Sequence, residues 1–434
     1  MYFKNNSPQD IRTRVTPQLA RWLDWIVEEH HKHKPTGLHR AKILARRLQL
    51  TNPATKSVIV AGTNGKGSTV RYLEQLLQGC YLKVGATISP HFEQYNERIR
   101  VSGKPVSDTE IVHSFETIEQ VREGIPLTYF EWATLAALDV FKREQVDRAI
   151  LEVGLGGRLD TCNVADRDIT VITNIGLDHS HILGSDRETI GSEKAGILQA
   201  GVPLVYGDEI PVASVLSRAR ELECPLYLAN HEFGHAKTSE GFWSCWAKDS
   251  EFETSFSYKY LPTMPDSAAL ALQTVVVLEE EFDQMRTTDL SEGALPGRME
   301  LMRYRDRDWL LDVGHNPDAA KYTRTQLDLL YPSRDIGLLF ACMEDKDAAG
   351  ILEALDLPDR RVSVTSTLGH RGQTAEELAK KLYPKSVRVE PDLEVALDYL
   401  VGSSSPHGLI LVAGSFELVS RVRNMITIGM ERRG

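Results

Sequence analysis

Short runs of consecutive apolar, β-branched residues alternate along this chain with stretches whose apolar positions recur every three to four residues. The runs at 58–60, 84–88, 150–153, 169–175, 203–206 and 225–228 predict buried strands of a mainly parallel sheet. Leu19, Trp22, Leu23, Trp25 and Ile26 share one helical face, and 41–50, 109–121, 128–141, 212–222 and 268–282 repeat that period. Residues 99–106 read as a hairpin, and 230–262 as strands and turns with no chemistry to extract. Near Ala294-Leu295-Pro296-Gly297-Arg298 the organisation restarts. Strands at 309–313, 336–341, 362–366, 387–389 and 409–413 alternate with helices at 317–330, 347–355, 375–382, 392–401 and 415–426. The expectation is an α/β protein of two domains, residues 1–295 and 296–434. The second is a doubly wound, Rossmann-like unit of about 135 residues, an ordinary domain size.

Composition narrows the class. At 434 residues one core is not expected. The formal charge of −11 speaks against a nucleic-acid partner, which favours a basic face. The five cysteines are scattered without a C-x-x-C pair, which fits a reducing compartment. No apolar run reaches the ~18 residues that a membrane span needs, and the polar start lacks a signal-peptide core. The expectation is a cytoplasmic enzyme with no membrane partner. His30, His31 and His33 lie in a charged run and read as a solvated helix end rather than a metal site.

Two stretches carry chemistry. After the strand at 58–60 come Gly62, Thr63, Asn64, Gly65, Lys66 and Gly67, and from Ser68 the helical period begins. Strand, glycine loop and helix turn backbone N–H groups toward an anion, with Lys66 adding mobile charge and Ser68 or Thr69 a hydroxyl near a metal ion. The spacing is not that of the general phosphate loop G-x-x-x-x-G-K-[ST], so an ordinary glycine-rich turn is the alternative. The second stretch puts Glu152 inside the apolar run 150–153, where an ionised carboxylate needs a cation or a metal. Leu177-Asp178-His179 ends a third strand, Ser89-Pro90-His91 a fourth, and Asp312-Val313-Gly314-His315-Asn316-Pro317 the first strand of the second domain. Those are the strand ends at which open α/β sheets bind ligands.

The motifs GTNGKGST, SPH, TYFEWATL, LEVGLGGRLD, LDH, EKAG, LPGR, DVGHNP, DKD and GSF span residues 37–416. Their order resembles the folylpolyglutamate synthase family of the Mur ligase superfamily, and most of all its bacterial bifunctional members. The resemblance implies a Mur-ligase-type phosphate-loop domain, which also binds the pterin, and a C-terminal domain contributing to the ATP and glutamate site. It implies an ATP-dependent ligase adding L-glutamate to 7,8-dihydropteroate and to reduced folates through an acyl phosphate. A monofunctional folylpolyglutamate synthase, or a relative that binds folate or nucleotide without ligating, are the alternatives. ATP and two magnesium ions are the implied cofactors, with a monovalent cation as a further candidate; small molecules are the only partners and the chain is a monomer.

By the same resemblance Gly62 to Ser68 cradle the phosphates. Ser89, Glu152 and His179 are the magnesium ligands, and Lys194 is the lysine carbamylated in relatives, its alternative being an exposed pair with Glu193. Arg298 reaches the γ-phosphate, and Asp312 and His315 help to hold nucleotide and glutamate. Gly37, Leu38, Thr128, Phe130, Asp160 and Thr161 surround the pterin; Phe130 reads equally as helix core. Three positions depart from the family. Asp266 stands where relatives usually carry asparagine against adenine, and an ionised carboxylate donates no hydrogen bond. Gly314 replaces the commoner alanine, and the glycine expected before Asp345-Lys346-Asp347 is absent.

Overall fold

The computed structural model describes residues 15–33, 37–237, 243–248, 253–258, 264–278, 290, 295–369, 371–405 and 407–431. They fall into two compact units, the second beginning at Leu295.

The first unit opens with α1 (Pro17–His33) and α2 (His39–Arg47). Leu19, Leu23 and Ile26 are buried as the periodicity expects, and Trp22 and Trp25 pack on Trp132. The side chains of His30, His31 and His33 lie outside the described residues, as do residues 35–36 of the following loop. Then come β1 (Lys56–Ala61), α3 (Lys66–Gly79), β2 (Val84–Thr87), β3 (Ile99–Val101), β4 (Lys104–Pro105), α4 (Asp108–Arg122), α5 (Tyr129–Arg143) and β5 (Arg148–Glu152). They are followed by β6 (Ile169–Ile172), α6 (Ser180–Leu183), α7 (Arg187–Lys194), β7 (Leu204–Tyr206), α8 (Ala213–Glu221) and β8 (Leu226–Leu228).

The sheet order is β4-β3-β2-β5-β1-β6-β7-β8, parallel except for the β2-β3-β4 hairpin side. Only Lys56 of β1 escapes full burial, which is why Val58-Ile59-Val60-Ala61 is a continuous apolar run rather than an alternating one. A second, antiparallel sheet of β9 (Phe233–Lys237), β10 (Trp243–Lys248) and β11 (Glu253–Tyr258) packs through β10 on α9 (Pro265–Leu278). Helix α9 in turn lies along α3. The predicted extension of this helix to 282 lies outside the described residues.

One ion cluster fastens the phosphate-loop helix. Glu74 of α3 is fully buried and accepts from Arg71 Nη1 at 2.5 Å, Arg100 Nε at 3.1 Å and the Gly103 N–H at 3.0 Å. Removing one partner of a buried ion pair leaves the other uncompensated, a cost of about 3–5 kcal/mol. Glu74→Gln is therefore expected to lower the thermal midpoint of this unit by many degrees, whereas Glu74→Gln/Arg71→Gln/Arg100→Gln, which removes both guanidinium partners with the carboxylate, recovers part of the loss. Thermal scans of both variants measure this.

The second unit contains β12 (Glu300–Tyr304), β13 (Arg307–Asp312), α10 (Pro317–Leu330), β14 (Ile336–Phe340), α11 (Ala348–Leu355), β15 (Val362–Val364) and α12 (Ala375–Lys381). It closes with β16 (Arg388–Val389), α13 (Leu393–Ser403), β17 (Leu409–Ala413) and α14 (Phe416–Glu431). The order is β12-β13-β17-β14-β15-β16, with β12 alone antiparallel. Strand β12 was not expected from the sequence. Its side chains are exposed or half-buried, so it lacks the apolar run by which the others are recognised.

Candidate active site

The sheet order brings four loops together. β2, β5, β1 and β6 are neighbours and parallel, so the residues after each lie at one edge. Ser89 follows β2, Glu152 ends β5, the glycine loop follows β1 and His179 lies beyond β6. Strand order reverses around β1, the position at which such sheets bind nucleotides.

Gly65 adopts φ 80° and caps α3, which starts at Lys66. The N–H groups of the first helical turn point out of the helix unpaired by it, and no acidic residue sits in that turn. The Thr69 hydroxyl donates back to Gly65 O at 3.0 Å, which leaves Ser68 as the first-turn hydroxyl for a ligand. Lys66 Nζ donates to Gly62 O at 3.0 Å and Thr63 O at 3.2 Å, folded over its own loop.

The loop is laid against the segment beyond β6. The Thr63 N–H donates to Asn174 O and the Asn64 N–H to Asn174 Oδ1, each at 2.9 Å, while Thr173 Oγ1 donates to Asn64 O at 2.6 Å. The Thr63 hydroxyl accepts from the Gly176 N–H at 2.9 Å. These bonds correct the predicted strand at 169–175. β6 stops at Ile172: the Thr173 N–H still donates to Ala61 O of β1 at 2.9 Å, but beyond it Asn174 and Gly176 bond to the glycine loop and the Ile175 N–H donates to Asp208 Oδ2 at 2.7 Å. Thr173 and Asn174 were missed as loop-holding residues, although two polar residues at a strand end were a readable signal.

Glu152 is 4% exposed and pairs in register with Val60, two residues before Gly62. Its Oε2 accepts from the Ser89 N–H at 2.8 Å, and its own N–H donates to Thr87 Oγ1 at 3.0 Å. His179 has φ 52° and its N–H donates to Asp178 Oδ1 at 2.8 Å. Among the described residues no group of three or more His, Cys, Asp or Glu side chains could cage a metal. Mg²⁺ does not require one, since it is usually held by one or two side chains, phosphate oxygens and water. A buried carboxylate next to a phosphate loop fits that mode.

Lys194 ends α7 buried, and Glu193 pairs instead with Arg158 at 2.9 Å, so the exposed Lys–Glu pair is not formed. Lys194 Nζ donates to Gly62 O at 2.7 Å, the same carbonyl that Lys66 uses. Burial, and then the Lys66 charge, bring its ammonium down from 10.5 to about 7, against the opposing pull of Asp178 and Asp160. The unfolded chain thus holds a proton that the folded chain lacks between pH 7 and 10.5, so this group makes stability rise with pH across that window. Lys194→Met is expected to raise the thermal midpoint most below pH 7 and least above pH 10, measured in CO₂-depleted buffer.

A second group of predicted residues gathers around the first turn of α5. Thr128 caps that helix, accepting from the Glu131 N–H at 3.0 Å, while Glu131 Oε2 accepts from the Thr128 N–H at 2.6 Å. Phe130 is half-buried rather than core, and its ring lies where a Cβ on Gly154 would stand, at 2.7 Å. Asp160 Oδ2 accepts from the N–H groups of Gly154 and Leu155 at 2.9 and 3.2 Å, and Oδ1 from the Cys162 N–H at 2.9 Å. Thr161 beside it is buried, and Gly37-Leu38 leads into α2. Asp266 opens α9 and bonds His235 Nε2 at 2.8 Å; neighbouring Ser267 Oγ reaches Gly65 O at 3.5 Å. The His235 partnership could not be read from sequence, because the two residues are joined only by the packing of β9 on α9.

In the second unit Asp312 ends β13 buried, accepting from the Met299 and Gly314 N–H groups at 3.0 and 2.8 Å. Burial raises its carboxyl and Arg298 opposes that rise. Arg298 lies over the Phe416 ring at 5.1 Å and His315 beside it at 5.9 Å, so Arg298, Asp312 and His315 form one cluster at the ends of β13 and β17. Phe416 was not among the predicted site residues, since an aromatic at a helix start reads as core.

Comparison with known proteins follows the same division. Residues 60–256 match the Mur ligase middle domain, and 297–416 match the Mur ligase, glutamate ligase domain. The dihydrofolate synthase/folylpolyglutamate synthase of Escherichia coli (strain K12) is 36% identical, over 95% of this chain and 97% of its own. That of Bacillus subtilis (strain 168) is 30% identical, over 90% and 95%. Among solved structures, E. coli FolC in complex with DHPP and ADP superposes with a TM-score of 0.87 at 36% identity, covering 96% of this chain and all of the other. The Yersinia pestis bifunctional enzyme complexed with AMPPNP and Mn ion gives 0.86 at 37% identity, over 95% of this chain and 100% of the other. Similarity of this extent, end to end and in both units, establishes that the chain belongs to the dihydrofolate synthase/folylpolyglutamate synthase family of Mur ligases.

Proposed function

We propose that this chain is an ATP-dependent, ADP-forming ligase that adds L-glutamate to 7,8-dihydropteroate and to reduced folates. A free carboxylate is a poor acylating agent. Its oxygen attacks the γ-phosphorus of ATP, giving an acyl phosphate and ADP; the glutamate amine then attacks the acyl carbon and phosphate leaves. Such chemistry needs positioning and charge neutralisation rather than a covalent residue. No helix of the described residues is long and apolar enough to cross a membrane, and the enzyme acts as a cytoplasmic monomer on small molecules.

In this reading residues 1–295 hold nucleotide and pterin, and 296–434 contribute to the ATP and glutamate site. The α3 N-terminus and Lys66 bind phosphate. Ser89, Glu152 and His179 would hold Mg²⁺, whose charge offsets that of the triphosphate. Lys194, with an amine partly neutral near pH 7, is suited to carbamylation. Arg298 neutralises charge on the transferred phosphoryl group, and Asp312 and His315 orient nucleotide and glutamate.

The single observation that carries the reading is Glu152: a carboxylate buried at the strand end beside the glycine loop, level with Val60. The test is ADP release measured with dihydropteroate or with a reduced folate, each with and without glutamate. Glutamate-dependent release with both acceptors is expected. Release with one alone makes the enzyme monofunctional, and release with neither overturns the reading.

A further inference from the structure

Gly37-Leu38 and the first turn of α5 are distant in sequence, yet one side chain ties them. Arg40 Nη2 donates to Gly37 O at 3.1 Å and to Glu131 Oε1 at 3.1 Å. Glu131 is 4% exposed, and its other oxygen accepts the Thr128 N–H. The guanidinium therefore connects the carbonyl of a left-handed glycine, φ 81°, to the carboxylate that closes the α5 cap. Phe130, one residue from Glu131, rests on Gly154, which Asp160 grips through its N–H. The chain of contacts runs from Gly37 through Arg40, Glu131 and Phe130 to Gly154 and Asp160.

Each link is short and mostly shielded. Arg40 is 18% exposed at its side chain and Glu131 5%. The carboxyl of Glu131 is raised by burial, and the Thr128 bonds and Arg40 oppose that rise by favouring the charged form. A planar guanidinium can serve two acceptors in a fixed geometry, which an ammonium on a flexible stem does less well. Neither residue is needed to end or start α2, whose N-cap, Leu38, makes no side-chain bond.

We infer that Arg40 and Glu131 are positioning residues for the acceptor: their ion pair sets the spacing between Gly37-Leu38 and the Phe130 ring, and so the fit of a flat heteroaromatic substrate between them. The inference rests on the reading that these residues seat the pterin. A slot for a rigid planar ligand tolerates little change in width, and misplacement of about 1 Å can cost on the order of a hundredfold.

The experiment compares Arg40→Gln, Arg40→Lys, Glu131→Gln and the paired variant Arg40→Met/Glu131→Gln with the parent and with Phe130→Ala. KM for dihydropteroate and for ATP are measured, together with the acceptor's Kd by calorimetry without ATP. Arg40→Gln and the paired variant are expected to raise acceptor KM and Kd by about tenfold or more, with ATP KM within twofold, and Arg40→Lys to recover part of the loss. The paired variant leaves no buried charge unmatched, so it stays folded if a single variant does not. If Phe130→Ala weakens acceptor binding while the Arg40 variants and the paired variant do not, the positioning role is wrong. If Phe130→Ala also leaves the acceptor's Kd unchanged, the assignment of the pterin seat fails first and takes the inference with it.

Discussion

Glu152→Gln is expected to lower glutamate-dependent ADP release by about a thousandfold while leaving the fold intact. Glutamine keeps the shape of the side chain and can still accept the Ser89 N–H through its carbonyl oxygen, now held at 2.8 Å by the carboxylate. What it loses is the negative charge that favours a divalent cation at the end of β5. Losing one preorganised electrostatic partner of a developing charge costs about 10²–10³ in rate, and here a second loss follows as metal affinity falls. Two measurements separate the causes. ADP affinity without metal should be close to that of the parent, whereas the tightening that Mg²⁺ brings should disappear. A variant with near-parental turnover would remove Glu152 from the metal site altogether.

Gly62→Ala is the second large effect, and it acts through the backbone. A Cβ at this position would stand 1.8 Å from Thr173 Oγ1, and φ is 147°, a conformation that side-chain-bearing residues rarely adopt. Thr173 cannot step aside freely, because its hydroxyl holds Asn64 O at 2.6 Å. The glycine loop must therefore detach from the segment beyond β6, and with it goes the carbonyl that both Lys66 and Lys194 use. ATP affinity should fall by about a hundredfold or more. Thr173→Ala, which removes the obstacle and the bond together, is expected to cost less, and Gly62→Ala/Thr173→Ala should recover part of the binding lost by Gly62→Ala. Nucleotide titrations of the three variants rank them.

Those effects show where the sequence was informative. β1 and β5 were legible because strands buried on both faces carry continuous apolar runs, Val58–Ala61 and Ala149–Leu151, so Glu152 stood out at the end of its run. The glycine loop was legible because few residues tolerate its dihedrals. Lys194 was visible only as a motif; its burial depends on α7 folding back to the loop, which no local pattern encodes. The Asp266–His235 bond and the Arg40–Glu131 pair join residues 31 and 91 positions apart, beyond the reach of periodicity. Thr128 and Glu131, three apart before an apolar run, could have been read as a capping box. The exposed strand β12 was missed because it carries no continuous apolar signal.

The outer strand of the larger sheet has a different bearing. β4 consists only of Lys104 and Pro105, both exposed. Proline offers no N–H to an incoming strand, and a charged lysine beside it disfavours a dry interface. That margin is thus poorly suited to recruiting a strand from a second molecule, which disfavours edge-to-edge aggregation along that side of the sheet at high concentration.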